Sequence, residues 1–439
     1  MTKRLSNYAL GIGLSLAVLV SLVLSWLIWT NNAKYQQGLT ANSNVQSFGR
    51  RHLAATKKIS EVFAPTEVIV TDSQQQRLIY NYRSSGSGEI LKVLQKARMG
   101  PLHRVSEQDQ NRYLELLHRH HTLQLSYPTT VTLSTFLQAI GKQNILRPQT
   151  DQKLNRVILT LNKDSSTQEL YFLDDHRYTV HKLKVRSLDY QRLNQLWQHN
   201  NFTAPVEIKM INHNLRINYL KPVKLHPVSY LVVKASDSTY LANLLSSSSG
   251  TEITTHKTGK ENVYRKENKM LTVDRETGVV VFNDYSKFTL ATTTSEIFNK
   301  AYQSLKQISN PLNSLYLFNY DASEHRLSFR DYVEGFPIFH SNKAGSTEVS
   351  FANGSQTLRF SNRVLQAPVP AEQKTIELPA TTTVLQQLQA VGYSSSQIQN
   401  LTLGYSWNND LENKDVVDLM PSYYVKINDQ WKSYQDWLK

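Results

Sequence analysis

The sequence predicts an α+β protein that one N-terminal helix anchors in a membrane. An uncharged, apolar segment stands near the start of the 439-residue chain, at residues 8–29. Beyond it, short runs of alternating apolar and polar residues end at clusters of Gly, Asn and Asp, which is typical of antiparallel strands. Segments with helical spacing interrupt these runs irregularly, whereas a parallel sheet requires a regular alternation of strand and helix. The chain that follows the apolar segment is long enough for two or three domain cores.

Residues 8–29 have the length of a membrane-spanning helix. At about 1.5 Å of rise per residue the segment measures roughly 33 Å, and a hydrocarbon core is about 30 Å thick. It is too long for the apolar part of a signal peptide, and no small-x-small cleavage pattern follows it, so we expect it to stay attached. Trp26 and Trp29 suit the membrane–water interface on the outer side of the cell membrane, where aromatic rings accumulate.

The charges beside this helix predict its orientation. Lys3 and Arg4 precede it, and Lys34 is the first cation after it. Because cations favour the cytoplasmic side, residues 1–7 are predicted to lie in the cytoplasm and the bulk of the chain outside. The predicted location is therefore the cell membrane, which the chain crosses once.

Small residues recur at every fourth position of the same helix, namely Ala9, Gly13, Ala17, Ser21 and Ser25. Residues four apart lie on one helix face, so this small-residue stripe forms a shallow groove that allows a second helix to approach closely. We interpret the stripe as a partner-binding surface. The alternative is that Gly, Ala and Ser are simply frequent in membrane helices.

The composition excludes several chemistries. The chain has no cysteine, which rules out disulfides, thiolate metal sites and cysteine catalysis. The net charge is +14, and the excess of cations lies mainly in residues 46–205, nearest the membrane. Each Lys or Arg near a bilayer gains about 1 kcal/mol from anionic lipid, and an anionic wall polymer would attract the same cations. A nucleic-acid partner is disfavoured by the translocated location and by the lack of a basic-aromatic motif.

A polar segment without an apolar period, residues 31–47, predicts a linker. The α+β domain predicted for residues 48–205 begins with a helix that Pro65 ends. Its other elements follow from apolar spacings typical of helices and strands. The predicted helices are 48–63, 89–98, 107–118 and 190–197, and the predicted strands are 67–70, 78–82, 157–161, 169–173 and 178–185.

Two further α+β domains are predicted, at 206–305 and 306–439, from a composition change near Pro205 and a breaker at Asn310-Pro311. Ser394 and Gln397 have the spacing of a capping box. The predicted strands are 230–234, 270–273, 279–282, 315–320, 326–333, 348–351, 357–361, 401–405 and 423–427, and the predicted helices are 298–305 and 382–391.

The sequence contains no metalloprotease, phosphate-loop, nucleophile-elbow or calcium-loop motif, so we predict no enzymatic activity. One histidine cluster combines His118, His120 and His121 with Glu115 one helical turn earlier, a spacing that can bind a metal. A polar helix end explains the cluster better, because cationic side chains favour a helix C-terminus. We therefore predict neither a metal nor another cofactor.

Two carboxylate pairs and one group of aromatic residues are further candidates. Asp174 with Asp175 and Asp415 with Asp418 have the pairing used in acid-base catalysis, but turn and loop chemistry explains them better. The aromatic group could bind sugars or peptides, although a core and its rim explain most of it. Its members are Trp407, Tyr423, Tyr424, Trp431, Tyr434 and Trp437.

Several segments together resemble the YycH family of low-GC Gram-positive bacteria. The end of the anchor, residues 21–30 (SLVLSWLIWT), resembles the start of these proteins. Residues 330–339 (RDYVEGFPIF) are similar to the family's Tyr-Val-x-Gly-x-Pro-Val/Ile-Phe motif, and 401–405 (LTLGY) with 421–428 (PSYYVKIN) are similar to its C-terminal pieces. The middle of the chain matches loosely. Because related YycI proteins share some of these elements, the resemblance also implies a YycI-like C-terminal domain.

The resemblance implies a non-enzymatic regulator of the WalK (YycG) sensor histidine kinase, which acts with a YycI-like protein on cell-wall metabolism through membrane-helix contacts. It carries over no catalytic residue, and the sign of the regulation does not follow from it. The alternative is a membrane-anchored envelope enzyme or a wall-polymer binding protein. A ligand-sized cleft with converging titratable groups would favour this alternative.

Overall fold

The computed structural model of the protein describes most of the chain beyond residue 57. The predicted tail, anchor helix and linker lie outside the described ranges. No helix within the described ranges has both the length and the apolar character needed to cross a membrane. The ranges are 58–80, 86–145, 152–162, 165–198, 202–212, 214–245, 252–286, 293–308, 314–340, 343–369, 374–409 and 415–439.

The first sheet is antiparallel and has ten strands. They are β1 (Glu67–Thr71), β2 (Gln76–Ile79), β3 (Arg98–Met99), β4 (His103–Ser106), β5 (Thr122–Thr132), β6 (Lys153–Thr160), β7 (Thr167–Asp174), β8 (Thr179–Arg186), β9 (Thr203–Ile211) and β10 (Asn214–Tyr219). The order is β10-β9-β2-β1-β5-β6-β7-β8-β3, and β4 also pairs with β8.

The second sheet has fourteen strands, and a two-stranded sheet of β11 (Val223–Leu225) and β23 (Ile376–Leu378) accompanies it. Its strands are β12 (Val228–Lys234), β13 (Thr254–Lys257), β14 (Glu261–Lys266), β15 (Lys269–Asp274), β16 (Val279–Asp284), β17 (Leu315–Asp321), β18 (Arg326–Val333), β19 (Phe336–Phe339), β20 (Ser346–Ala352), β21 (Ser355–Ser361), β22 (Arg363–Val369), β24 (Ile398–Asn409), β25 (Val416–Ile427) and β26 (Gln430–Ser433). The order is β13-β14-β15-β16-β21-β20-β18-β19-β24-β25-β12-β22, with β17 on β18 and β26 on β25. The β19–β24 pair is parallel.

The helices lie between the strands in the chain without a regular alternation. They are α1 (Ile59–Val62), α2 (Gly86–Lys96), α3 (Gln110–Leu117), α4 (Leu133–Ala139), α5 (Tyr190–Gln198), α6 (Asp237–Leu244), α7 (Thr294–Gln307), α8 (Thr381–Ala390) and α9 (Tyr434–Trp437), with a 3₁₀ turn at Gln143–Ile145. The α+β class predicted from the sequence is therefore confirmed.

Two hydrophobic cores join the sheets. Adjacent residues of a strand point to opposite faces, so Ile69 and Val70 of β1 enter different cores. The core around Val70 also contains Phe360 of the second sheet, and the core around Ile69 also contains Leu403 of the second sheet. Each face of the first sheet therefore packs in a core that the second sheet shares.

Strand pairing also connects the three predicted domains. Strands β9 and β10 extend the first sheet through β2, although they lie mostly within the segment 206–305. Strands β12 and β16 of the same segment pair with β22, β25 and β21, which belong to 306–439. The boundaries at 205 and 305 stay predictions, and the hydrogen-bonded units of the structure are two sheets that cross them.

Most predicted elements agree in type with the structure, but strands of both sheets were missed, and the longest segment without a prediction lies in the first sheet. No element was predicted for 119–150, where β5 and α4 lie. Pro128 interrupts the strand pattern of β5, and the β5–β6 register shifts between Ser126 and Val131 at that point. Proline is tolerated in a sheet at such an irregularity, which explains why the local pattern concealed a strand.

A buried ion pair connects distant parts of the first sheet. Arg156 of β6 donates from Nε and Nη2 to the carboxylate of Asp175 at 3.0–3.1 Å. It also donates from Nη1 to Ser126 Oγ at 3.3 Å and from Nη2 to the Leu215 carbonyl oxygen at 3.0 Å. Four strands separate β6 from β10 in the sheet order, so the bond to Leu215 connects two distant strands of a curled sheet.

The carboxylate of this pair is held from two further sides. The Tyr113 hydroxyl of α3 donates to Asp175, whose own backbone N–H donates to Asn155 Oδ1 at 3.1 Å. The Arg156 and Asp175 side chains are 5% and 13% exposed, so the pair is largely withdrawn from water. Burial by itself lowers the pKa of Arg156, but Asp175, Tyr113 and Glu67 together outweigh burial and the pKa is raised.

We expect Asp175→Ala to lower the free energy of unfolding by about 3–5 kcal/mol, because it leaves a buried guanidinium without its counter-ion. The double variant Arg156→Met, Asp175→Leu should lose less, because it removes both charges together. Urea denaturation of the detergent-solubilised chain measures both values.

The control is Arg112→Ala, which breaks the Arg112–Glu115 ion pair, whose side chains are 45% and 70% exposed. An exposed pair contributes about 0–1 kcal/mol, so this variant should remain close to the wild type. Equal losses for Asp175→Ala and Arg112→Ala would contradict the structural role of the buried pair.

Candidate functional site

A cleft of about 1260 Å³ lies between the two sheets. Its lining comes from β1, β2, β5, β6 and β10 of the first sheet and from β17, β18, β19, β20, β24, β25 and β26 of the second. Small-molecule sites usually enclose about 300–1,000 Å³, so the cleft is large enough for a ligand. A cleft of this size is one of the features expected of an envelope enzyme or a wall-polymer binding protein.

The segments that resemble the YycH family meet at one wall of this cleft. Strands β18 and β19 form a hairpin whose turn residues Glu334 and Gly335 have φ values of 53° and 87°. Positive φ at both positions matches the type I′ turn, and Gly335 adopts it without strain. Strand β19 then pairs with β24, with Ile338 opposite Tyr405. The pairing places residues 330–339 beside 401–405.

An arginine of the first of these segments lies on an aromatic surface. The Arg330 guanidinium carbon is 4.0 Å from the ring centroid of Phe339 and 4.7 Å from that of Phe318. Phe339 stacks in turn on Tyr424, with centroids 3.8 Å apart. Nη1 of Arg330 donates to the Ile338 carbonyl oxygen at 2.7 Å. Burial lowers the pKa of Arg330 to about 10, so the side chain stays charged at neutral pH.

A glycine makes room for this aromatic surface. A Cβ atom at Gly404 of β24 would lie 2.7 Å from Phe339 Cε2 and 2.8 Å from the Pro337 carbonyl oxygen. Real Cβ atoms do not approach other atoms so closely, and any larger residue would displace the ring from its position. Gly404 therefore fixes how closely β24 and β19 pack at the cleft wall.

Two charged side chains of the first sheet line the cleft without a partner. The carboxylate of Glu67 and the guanidinium of Arg216 make no ion pair or side-chain hydrogen bond within the described ranges. Burial raises the pKa of Glu67, although Arg156 and Arg216 oppose this shift. Burial and the repulsion of Arg156 lower the pKa of Arg216, although Asp175 and Glu67 oppose that shift.

Buried donors without acceptors also border this cleft. In the described part of the chain, the Tyr127 hydroxyl, Arg216 Nε and Arg330 Nε have no hydrogen-bond partner. All three residues line the cleft. Buried polar groups in native proteins are almost always paired, so these three donors are available to ordered water or to a bound polar molecule in the cavity.

Other cleft charges are neutralised within the chain. Arg326 pairs with Glu324 at 2.9 Å, Lys343 with Glu348 at 2.7 Å, and Lys426 with Asp429 at 2.8 Å. Compared with these residues, Glu67 and Arg216 stand out because the described structure offers them no such partner.

The histidine cluster lies at the end of α3. His118 is the C-cap of this helix, and Nδ1 of His120 is 2.8 Å from the Asp72 carbonyl oxygen. His121 adopts a φ of 54° where the chain turns into β5. The described residues contain no group of three or more His, Asp or Glu that could hold a metal.

The carboxylate candidates have structural contacts. Asp175 belongs to the Arg156 pair, and Asp174 Oδ1 accepts from the His176 backbone N–H at 3.0 Å in the β7–β8 turn. Asp418 accepts from the Ser229 hydroxyl at 2.5 Å. These carboxylates do not form a converging pair aimed at the cleft, because none of the three lines it.

The aromatic candidates divide between core and cleft. Trp407, Tyr423 and Tyr424 are buried, and Trp437 donates from Nε1 to the Val425 carbonyl oxygen at 3.0 Å. Of the six, Trp431 lines the cleft, where its ring lies 5.3 Å from that of Phe339. A core and its rim therefore explain most of the group.

The predicted partner and interface residues cannot be placed in this geometry, because all lie outside the described residues. They are Ala9, Gly13, Ala17, Ser21 and Ser25 of the stripe, with Trp26 and Trp29. The stripe stays a prediction.

Sequence reasoning missed Glu67, Arg156 and Arg216. Each begins or interrupts an otherwise apolar strand segment, as in EVIV, LNRVILT and NLRINY. A charge flanked by strand residues on both sides is a usable signal, because a strand buried on both faces accepts a charge at a cost of several kcal/mol unless something pairs with it. That signal does not identify the partner.

The fold and the cleft define a class of two-sheet α+β proteins with a charged inter-sheet cavity. The crystal structure of YycH from Bacillus subtilis has this fold, with a TM-score of 0.70 and 16% sequence identity over 86% of this chain and 97% of that one. A comparison with curated proteins finds no match.

Comparison of the sequence with family models assigns the chain to a family. Residues 11–201 match the family model of the YycH protein N-terminal domain, and residues 218–437 match that of the C-terminal domain. The chain belongs to the YycH family, known for regulatory proteins of the WalK (YycG) system.

The raised pKa of Glu67 leads to a pH-dependent prediction. The folded state favours protonated Glu67, a contribution that is present at acid pH and lost as the pH rises through the raised pKa. We therefore expect Glu67→Gln to stabilise the protein at neutral pH, and the gain to vanish below the ordinary glutamate pKa of 4.5. Urea denaturation at both pH values measures the gain.

The matched control is Glu115→Gln, at an exposed position of α3. It should leave the stability nearly unchanged at both pH values. A loss of stability in Glu67→Gln at neutral pH would show that the ionised carboxylate has a stabilising partner, and would contradict this description of the cleft.

Proposed function

We propose that this protein is a non-enzymatic regulator of a WalK-like sensor histidine kinase that controls cell-wall metabolism. It is anchored in the cell membrane by residues 8–29, and it acts together with a YycI-like protein. The observation that carries the proposal is the match to both YycH family models. The N-terminal match starts at residue 11, inside the predicted anchor, which supports the anchor as part of the regulator.

The proposed mechanism is a contact between membrane helices. A helix that binds one kinase conformation more tightly than the other shifts the kinase equilibrium by that difference, typically about 1–3 kcal/mol. The small-residue stripe supplies a groove for such a contact, because close packing replaces the hydrophobic effect between helices in lipid. The kinase state that the groove prefers determines the sign of the regulation.

The proposed topology predicts the outcome of surface proteolysis. A protease added to intact protoplasts should digest the chain beyond about residue 35, since the predicted anchor ends at Trp29 and the bulk lies outside. Immunoblotting with an antibody against the C-terminal region detects the loss. A protected C-terminal region, or a mature N-terminus after Trp29, would contradict the anchor.

The stripe predicts which helix residues control the kinase. Gly13→Leu or Ala17→Leu fills the groove, while leucine favours both helix formation and membrane insertion. We expect a kinase-dependent reporter to lose most of its response to the regulator in either variant, since each side chain prevents close helix approach.

The controls for this experiment lie on the same helix but off the stripe. Leu16→Ala and Val20→Ala should leave the reporter nearly normal at equal membrane abundance. The same response in stripe and control variants would show that the groove is not the contact surface.

The inter-sheet cleft supports a second function, the binding of a ligand from the cell envelope. Its volume of about 1260 Å³ suits a binding protein, as do two lining charges that have no ion-pair partner among the described residues. An envelope enzyme is less well supported, because the carboxylate pairs predicted from the sequence lie outside the cleft lining. Ligand binding is compatible with regulation, because a ligand held between the sheets would be an input to the anchored helix.

A further inference from the structure

Glu67 and Arg216 are opposite charges that face the same cleft without touching. Both line the cavity, and no ion pair joins them. Arg156 lines the same cleft, but its guanidinium is already paired with Asp175, so Glu67 and Arg216 are the charges left for a ligand. The two side chains project from different strands, β1 and β10, and Arg156 fixes the position of β10 through the Leu215 carbonyl oxygen.

A separated pair of this kind matches a ligand that carries both charges. A guanidinium holds a carboxylate through two parallel N–H···O bonds, and a carboxylate accepts hydrogen bonds from an ammonium group. Because both protein charges are partly withdrawn from water, pairing with a ligand gains interactions that the free protein lacks. A ligand with negative charge only would satisfy Arg216 but repel Glu67.

We infer that the cleft binds an amino acid or short peptide whose carboxylate pairs with Arg216 and whose ammonium group pairs with Glu67. This inference rests on the second proposed function, ligand binding, and is independent of the kinase contact. The cleft volume of about 1260 Å³ leaves room for several residues. The Tyr127 hydroxyl, buried and unpaired within the described ranges, is a donor for a peptide carbonyl.

The test uses the full chain in lipid nanodiscs and three probes: alanyl-alanine, its N-acetyl form and its C-terminal amide. Isothermal titration calorimetry at millimolar probe concentrations measures binding. Alanyl-alanine should bind saturably. The N-acetyl form and the C-terminal amide should each bind about tenfold to a hundredfold more weakly, since each lacks one hydrogen-bonded charge pair.

Two variants test which side chain binds which end of the ligand. Arg216→Gln should weaken the binding of alanyl-alanine to that of the amide, and should leave the binding of the amide unchanged. Glu67→Gln should weaken the binding of alanyl-alanine to that of the N-acetyl form, and should leave the binding of the N-acetyl form unchanged. Neither variant should melt below the wild type, because each removes a charge that has no partner among the described residues.

Arg326→Gln is the matched control, because Arg326 lines the same cleft but is paired with Glu324 at 2.9 Å. Its binding of all three probes should equal that of the wild type. Equal binding of the three probes, no saturable binding, or the same loss in Arg326→Gln would overturn the inference. Kinase-reporter control is measured separately, so its failure would count against the regulator and not against the cleft.

Discussion

The buried pair of Arg156 and Asp175 is the interaction on which the arrangement of the first sheet depends. One guanidinium holds a carboxylate after β7, a hydroxyl in β5 and a carbonyl oxygen in β10. The desolvation of two buried charges offsets much of their Coulombic attraction, so the main effect of such a pair is to fix the positions of the groups that it joins. Through the Leu215 carbonyl oxygen, Arg156 holds β10 near β6. The next residue of β10 is Arg216.

The cleft follows from that curvature and from the shared cores. Both faces of the first sheet pack with residues of the second, so packed cores support the walls of the cavity between the sheets. Its unpaired charges are a cost to the folded state, as the raised pKa of Glu67 and the lowered pKa of Arg216 indicate. Proteins commonly retain such costs where a ligand is bound. The aromatic support of Arg330 holds a further cation at the opposite wall.

The two functions proposed for the chain use different parts of it. The proposed kinase regulation depends on the anchor, which lies outside the described residues. The proposed ligand binding depends on the cleft, where residues that carry the family resemblance form one wall. If both proposals hold, the protein would be a receptor that reports an envelope ligand to a kinase.

The sequence by itself determined the α+β class, most strands and helices, and the family, because alternation, helical spacing and short motifs are local properties. It also showed the motif segments 330–339 and 401–405, but not that β19 and β24 bring them together. Only the tertiary structure decided that Arg156 is paired, while Glu67 and Arg216 have no ion-pair partner in the described part of the chain. The pairing of a charge depends on side chains far apart in the chain, and no local pattern contains that information.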